Sequence, residues 1–291
     1  GNRRLSRPRG RSRAPSSVPR RRPDDGQALI LSVKADPEFI SACGHRLEYA
    51  WWSGPPAPGS TALVFLHEGL GCVDMWRDVP EILANMTGLP AFAYSRAGYG
   101  RSDGITLPRK ADYHAPEAYE VLPAVLDAAG IGKAVLIGHS DGGTIALMAA
   151  GRDPRIRGVV TMAAHVFNED VTIRGIQDAR VAWQETDLRE RLRRYHGDNV
   201  DGAFFGWNDT WLAEDFRAWN VESCLPTVTC PVLVVQGADD QYGTEAQVSA
   251  IADGVSGPAK RLLITGCGHS PHLEVPDALF LEIARFIASL A

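Results

Sequence analysis

The most constraining feature of this 291-residue chain is the pentapeptide Gly138-His139-Ser140-Asp141-Gly142. It follows an apolar run at 134–137 and precedes a segment of small residues that ends at Ala150. A buried strand that passes directly into a helix needs a very sharp turn, in which the central serine takes a strained backbone conformation. Glycine at both ends of the pentapeptide avoids collisions with the neighbouring strand and helix. The pattern predicts a serine hydroxyl presented at the end of a sheet, so Ser140 is the candidate nucleophile.

Apolar runs alternate with helical patterns along most of the chain. Strands are predicted at 39–42, 47–51, 62–66, 89–94, 134–137, 158–162, 231–235 and 261–264. The first two indicate an antiparallel hairpin. Helices are predicted at 79–86, 117–129, 143–150, 245–252 and 277–290. This alternation predicts an α/β fold with a mostly parallel central sheet and helices on both faces.

One segment interrupts the alternation. Residues 166–225 contain no buried strand, but they hold charged helical stretches and a cluster of tryptophan and phenylalanine residues. We expect a small helical cap between two parts of the core, 27–165 and 226–291. Most of the aromatic side chains should form the core of the cap, and one or two should face a substrate. His165, Trp183 and Trp207 are the candidate substrate-binding residues.

The beginning of the chain differs from the rest in charge. Residues 1–23 contain nine arginines and no acidic residue, which leaves 21 basic and 35 acidic residues, a formal charge of −14, in the remainder. The segment 1–26 has few apolar side chains with which to offset its ordering entropy, so it is predicted to be a disordered arm. The arm could recruit an anionic partner, but the acidic body does not suggest nucleic-acid binding.

Cysteine usage and hydropathy restrict the class of protein further. The five cysteines are odd in number and lack metal-ligand spacing, which is typical of a reducing compartment. No apolar run approaches the roughly 18 residues of a membrane-spanning helix. We therefore expect a cytoplasmic protein that acts on a small molecule, with no membrane partner, metal or cofactor. A homo-oligomer is compatible with the sequence.

Two strand-end loops carry groups that could activate Ser140. His269 follows the last predicted strand, and Asp239 and Asp240 follow the strand at 231–235. A serine hydroxyl needs a base to accept its proton, and the base needs a third group to orient it. Loops at the carboxyl ends of parallel strands meet at one edge of a sheet. The sequence thus predicts a catalytic set of Ser140, one of the two aspartates, and His269.

With these motifs the chain resembles the serine-nucleophile branch of the α/β-hydrolase superfamily, including its bacterial esterases and C–C-bond hydrolases. The resemblance covers about residues 38–291. The run Leu66-His67-Glu68-Gly69-Leu70-Gly71 resembles the oxyanion-loop signature, and Ser95 to Ser102 resembles the Arg-Gly-x-Gly-x-Ser turn of the family. The resemblance implies Asp240 rather than Asp239 as the acid. It implies His269 as the base, with His272 as the alternative.

The resemblance also implies an oxyanion hole. The amide of Asp141 would be one donor. The family usually has glycine where this chain has Glu68, so the other donor is Gly69 in a gapless match and Leu70 if Glu68 is an insertion. Glu68 and Asp141 could place negative charge near the site and disfavour anionic substrates. Alternatively, both are loop carboxylates with partners of their own.

The expected activity is cofactor-independent hydrolysis of a carboxylic ester of a small hydrophobic acyl or aryl compound, through an acyl-enzyme. Three alternatives within the same chemistry are hydrolysis of a C–C bond in a vinylogous diketone, of a lactone, or of a thioester. A different alternative is a ligand-binding member of the fold without activity. The natural substrate does not follow from the sequence.

Overall fold

The computed structural model describes residues 37–290, and the predicted arm at 1–26 lies outside this range. Within it, eight strands form one sheet in the order β1-β2-β4-β3-β5-β6-β7-β8. The strands are β1 (Glu38–Ala42), β2 (His45–Trp52), β3 (Thr61–Leu66), β4 (Ala91–Tyr94), β5 (Lys133–His139), β6 (Ile156–Met162), β7 (Val232–Gly237) and β8 (Ala259–Ile264). Strand β2 is antiparallel to both β1 and β4, and all other neighbours are parallel. The predicted fold class is confirmed.

Ten α-helices of the described range connect or cover these strands. They are α1 (Val79–Thr87), α2 (His114–Pro116), α3 (Leu122–Ala128), α4 (Asp141–Ala150), α5 (Asp170–Glu185), α6 (Leu188–His196), α7 (Val200–Leu212), α8 (Glu245–Gly254), α9 (Pro271–Glu274) and α10 (Pro276–Ala288). A π-helical segment, Glu117–Val121, joins α2 to α3, so the helix predicted at 117–129 is not regular throughout. None of the described helices combines the length and apolar character that crossing a lipid bilayer requires.

Both faces of the sheet are buried at its central strands, and β3 shows why. Successive side chains of a strand point to opposite faces. Val64 and Leu66 pack in the hydrophobic cluster on one face, whereas Leu63 and Phe65 pack in the cluster on the other. All four are at most 3% exposed. The continuous apolar run predicted at 62–66 therefore reflects a central strand covered on both sides.

Helices α5, α6 and α7 lie between β6 and β7 in the chain, and we call them the inserted helices. They share a separate hydrophobic cluster with the segment after α7, built around Phe204, Trp211 and Phe216. The aromatic residues at 183–219 therefore largely pack against one another. The boundaries of a cap at 166 and 225 stay a prediction.

Candidate active site

Ser140 lies at the turn between β5 and α4. Its φ and ψ are 50° and −115°, a left-handed conformation that a non-glycine residue rarely adopts. A Cβ atom at Gly138 would overlap the carbonyl of Gly142, and one at Gly142 would overlap the carbonyl of Leu66. The two glycines thus allow strand, turn and helix to pack this tightly. The Ser140 amide donates to Met162 O at 2.8 Å, which secures the turn to β6.

Asp141 begins α4, and its carboxylate has partners beneath the turn. Oδ2 accepts a hydrogen bond from the Tyr113 hydroxyl at 2.6 Å and lies 3.4 Å from the Arg96 guanidinium. Oδ1 lies 3.4 Å from His114 Nε2. Burial by itself would raise the pKa of Asp141, but His114, Arg96 and Tyr113 outweigh it and lower that pKa well below its usual range. The Asp141 side chain is therefore a paired, buried carboxylate rather than a free charge beside Ser140.

The loop at 67–71 is held through its carbonyl groups. The amide of Arg96 donates to His67 Nε2 at 3.1 Å, so the Nδ1–H of His67 donates to Glu68 O at 2.7 Å. Burial lowers the pKa of His67 far below its ordinary value, in agreement with this neutral tautomer. The Arg96 guanidinium also donates to Glu68 O, and His196 Nε2 donates to Leu70 O at 2.9 Å. Anchoring of the carbonyls fixes the orientation of the intervening amides.

Gly69 and Leu70 both line the cavity that contains Ser140. A Cβ atom at Gly69 would overlap the indole of Trp207, so this glycine lets helix α7 approach the loop. Among the described residues, no acceptor receives a hydrogen bond from the amides of Gly69, Leu70 or Asp141. The choice between Gly69 and Leu70 as an oxyanion donor stays a prediction.

His269 follows β8 and faces a buried carboxylate that follows β7. His269 Nδ1 lies 2.9 Å from each oxygen of Asp240. Asp239 is exposed, and its amide donates to Cys267 O. His272 is buried against the rings of Trp76 and His139. Of the candidates that the sequence left open, the structure brings Asp240 and His269 together.

Two side chains that the sequence analysis missed hold this pair. Gln236, the penultimate residue of β7, donates to Asp240 Oδ2 at 2.8 Å. Glu274 in α9 accepts hydrogen bonds from the amides of Gly268 and Ser270, which flank His269. A signal for Gln236 was present, because a glutamine directly after the buried run 232–235 needs a buried partner.

Ser140 and His269 line one cavity of about 220 Å³. The strand-end loops and inserted helices both contribute to its wall, which consists of Glu68, Gly69, Leu70, Met75, His139, Ser140, His165, Thr172, Ile176, Leu192, Trp207, Trp211, Tyr242, His269 and Ser270. His165 and Trp207, two of the three residues predicted to bind substrate, are among them. Trp183 is not, because its indole stacks on Phe204 at 4.0 Å between centroids within the inserted helices.

His165 is fixed against the loop after β7. Its Nε2 donates to Tyr242 O at 3.0 Å, and burial lowers the pKa of the imidazole. Tyr242, absent from the sequence-based candidates, places its ring 4.7 Å from that of His269. His269 is therefore bordered by an aromatic ring and a neutral imidazole, and it has a buried carboxylate at Nδ1.

Comparison with known proteins agrees with the fold. Residues 63–282 match the model of the "Alpha/beta hydrolase family". A pimeloyl-[acyl-carrier protein] methyl ester esterase from Xylella fastidiosa is 26% identical over 64% of this chain and 84% of its own length. The human protein named serine hydrolase BPHL is 29% identical over 88% of this chain and 87% of its own length.

A solved structure supports the same conclusion at the level of the fold. The serine hydrolase involved in carbazole degradation (the CarC enzyme) superimposes with a TM-score of 0.68 at 20% identity, covering 87% of this chain and 98% of that one. With the family model matching well over half of the chain, these findings show that this protein is an enzyme of the alpha/beta hydrolase family.

Proposed function

We propose that the protein is a serine hydrolase that cleaves carboxylic esters with a small hydrophobic acyl or aryl group and needs no cofactor. The observation that carries this proposal is the placement of Ser140, at a strained turn, in the same cavity as a histidine held by a buried aspartate. The relative named as a methyl ester esterase supports an ester as the substrate class.

In the proposed reaction Ser140 Oγ attacks the ester carbonyl carbon while His269 Nε2 accepts the hydroxyl proton. Because Asp240 accepts from Nδ1–H, the lone pair of the imidazole is on Nε2, where the base must have it. His269 then gives the proton to the departing alcohol. A water molecule, deprotonated by the same imidazole, attacks the acyl carbon of the acyl-enzyme. The bond from this carbon to Ser140 Oγ then breaks, His269 returns the proton to Oγ, and the carboxylic acid leaves.

The negative charge on the carbonyl oxygen would be met by main-chain amides. The Asp141 amide opens α4, whose dipole favours negative charge at this end. The second amide comes from Gly69 or Leu70 in the anchored loop. Amides held in place before the reaction stabilise the transition state without a cost of reorganisation.

The volume and the lining of the cavity support the proposal of a small acyl or aryl group in the substrate. Its volume of about 220 Å³ is below the roughly 300–1,000 Å³ of pockets that hold drug-sized ligands. The inserted helices contribute Ile176, Leu192, Trp207 and Trp211 to its wall. An apolar group buried there leaves water, which favours its binding.

The proposal is tested by the reactivity of Ser140. A fluorophosphonate probe should label the wild type on Ser140, and the wild type should hydrolyse p-nitrophenyl butyrate. Ser140→Ala should lose both properties because no other hydroxyl takes the position at the turn. Ser289→Ala, at the exposed end of α10, is the matched control and should retain both.

Labelling of another serine, or hydrolysis by Ser140→Ala, would contradict the assignment. If the wild type cleaves a dienone–diketone or a lactone but no ester, the substrate class is wrong and the nucleophile stands. If it binds such compounds without turning them over, the protein is a binding member of the fold.

A further inference from the structure

The imidazole of His139, the residue immediately before Ser140, connects two other segments of the site. Its Nε2 lies 2.8 Å from the main-chain oxygen of His269. Its Nδ1 lies 3.5 Å from Oε2 of Glu68. The ring thus joins the turn that bears Ser140, the loop that bears His269, and the loop whose amides line the cavity.

The chemistry of these partners determines where the protons of His139 lie. A carbonyl oxygen can only accept, so Nε2 must carry a hydrogen. In a neutral imidazole the other nitrogen would then turn a lone pair toward the Glu68 carboxylate, and the two would repel. A second proton on Nδ1 replaces this repulsion with the attraction of an ion pair, because the 3.5 Å contact lies outside hydrogen-bond geometry but within the range of a salt bridge. The charges therefore favour an imidazolium.

Burial and charge agree with the geometry. The side chain of His139 is 3% exposed and that of Glu68 23%. Burial by itself would lower the pKa of His139, but Glu68 and the His269 carbonyl outweigh it and raise that pKa. Burial would likewise raise the pKa of Glu68, whereas His139 lowers it well below its usual range. Each group stabilises the charged form of the other.

Other titratable groups also face His139. The ring of His269 is 5.1 Å away, with Asp240 behind it, and the ring of His272 on α9 is 4.7 Å away. Burial lowers the pKa of His272 to about 3, so it adds no charge at neutral pH. The carboxylate that contacts the His139 ring is that of Glu68.

The loop is built to admit this carboxylate. A Cβ atom at Gly71 would overlap Glu68 Oε2, so the carboxylate of Glu68 occupies space that a side chain at position 71 would otherwise fill. Arg96 and His67 hold the carbonyl of Glu68, and its side chain is left to reach His139. The glycine that the resembled family usually has at position 68 could not make this contact.

We propose that His139 is a positioning residue, held as an imidazolium between the Glu68 carboxylate and the His269 carbonyl. This bridge keeps the amides of Gly69 and Leu70, and the ring of His269, in register with Ser140. The expected effect of this bridge on kcat rests on the proposed ester hydrolysis. The contacts that form the bridge do not depend on that function.

The kinetic test uses Glu68→Gln, which keeps the shape of the side chain and removes its charge. kcat for p-nitrophenyl butyrate should fall about tenfold, or about 1.4 kcal/mol of lost transition-state stabilisation, with KM little changed. The alkaline limit of the kcat profile should move to lower pH, because the imidazolium loses its proton more easily without the carboxylate. Glu81→Gln, exposed on α1, is the matched control and should leave both unchanged.

A second variant, His139→Gln, retains an amide donor for the His269 carbonyl and removes the titrating ring. Adding Glu68→Gln to it should cost less than the tenfold seen in the wild type, because the partner is already gone. Full additivity of the two substitutions, or an unshifted pH profile in Glu68→Gln, would overturn the proposal.

A measurement independent of activity uses ¹⁵N NMR of the histidine rings, with His139 assigned by the signal that His139→Gln loses. Both ring nitrogens should be protonated at pH 7 in the wild type. A neutral His139 ring in the folded wild type would overturn the bridge. If the wild type cleaves no ester, the proposed function fails, and this spectrum still decides the bridge.

Discussion

At the scale of single residues, the hydrogen bonds that Asp240 accepts keep its buried carboxylate charged. Its carboxylate accepts from Gln236, from the amide of Tyr242 and from His269. Burial by itself would raise the pKa of Asp240, but His269 and the Tyr242 amide outweigh it and lower that pKa. The acid thus remains ionised at neutral pH and holds Nδ1–H of His269.

Asp240→Asn should reduce kcat by orders of magnitude, as the loss of this partner does by roughly 10⁴-fold in serine proteases. The amide can donate to Nδ1 and so stabilise the tautomer that cannot act as a base. Asp239→Asn, an equivalent change at an exposed neighbour, should have a much smaller effect. Steady-state kinetics on both variants measure the two effects on kcat. The reverse ranking would assign the orienting role to Asp239.

At the scale of elements, α7 connects the wall of the cavity to the loop at 67–71. Trp207 lines the cavity and packs against Gly69, whereas Trp183 on α5 stacks on Phe204 outside the cavity wall. The two tryptophans, both predicted to bind substrate, therefore lie in different places. Under the proposed function, Trp207 would limit the length of a bound acyl chain.

We expect kcat/KM for p-nitrophenyl esters to rise from acetate over a few carbons and then to fall once the cavity is full. Each buried methylene contributes about 0.8 kcal/mol, or about a fourfold gain. Trp207→Ala should move the optimum to longer chains, and Trp183→Ala should leave it in place. A profile of rate against chain length, measured for the three proteins, is the test. A flat wild-type profile would show that the acyl group does not bind in this cavity.

At the scale of the whole molecule, buried histidines make stability depend on pH. Burial lowers the pKa of His67, His165, His196 and His272, for His272 to about 3. His139, whose pKa is raised, acts in the opposite direction. Because four buried histidines have a lowered pKa and one has a raised pKa, the folded protein should bind fewer protons than the unfolded chain.

The free energy of unfolding should therefore fall on acidification, beginning near pH 6.5, where histidines of the unfolded chain gain protons. For His272 the loss continues until the folded state is protonated near pH 3. His272→Phe removes this group, so the slope of stability against pH should decrease by at most about 1.4 kcal/mol per pH unit. Urea unfolding of the wild type and the variant at several pH values between 7.5 and 5 measures this slope. An unchanged slope would show that His272 gains its proton at the same pH in the folded and the unfolded protein.

The two tryptophans also show where prediction from sequence ends. An aromatic cluster in the sequence predicts a packed core, but it does not identify which of its rings lines the cavity. The choice depends on how α7 packs against the loop at 67–71, more than 100 residues earlier in the chain. The same applies to Glu68: the sequence left open both an unpaired charge near the site and a paired loop carboxylate, and the partner is His139 at the end of β5.

The sequence by itself determined the strand–turn–helix at Ser140, the alternating α/β architecture and the placement of Asp240 and His269 after strands. These features follow from local constraints, namely backbone sterics at a tight turn and the apolar periodicity of buried elements. The tertiary structure decided the partners of Asp141 and Glu68, the hydrogen bond from Gln236 to Asp240 and the wall of the cavity. The partners of Asp141, the partner of Glu68 and the cavity wall each bring together residues far apart in the chain. The hydrogen bond from Gln236 to Asp240 depends on the path of the loop after β7. Contacts of this kind are set by how elements pack and leave little trace in any short stretch of sequence.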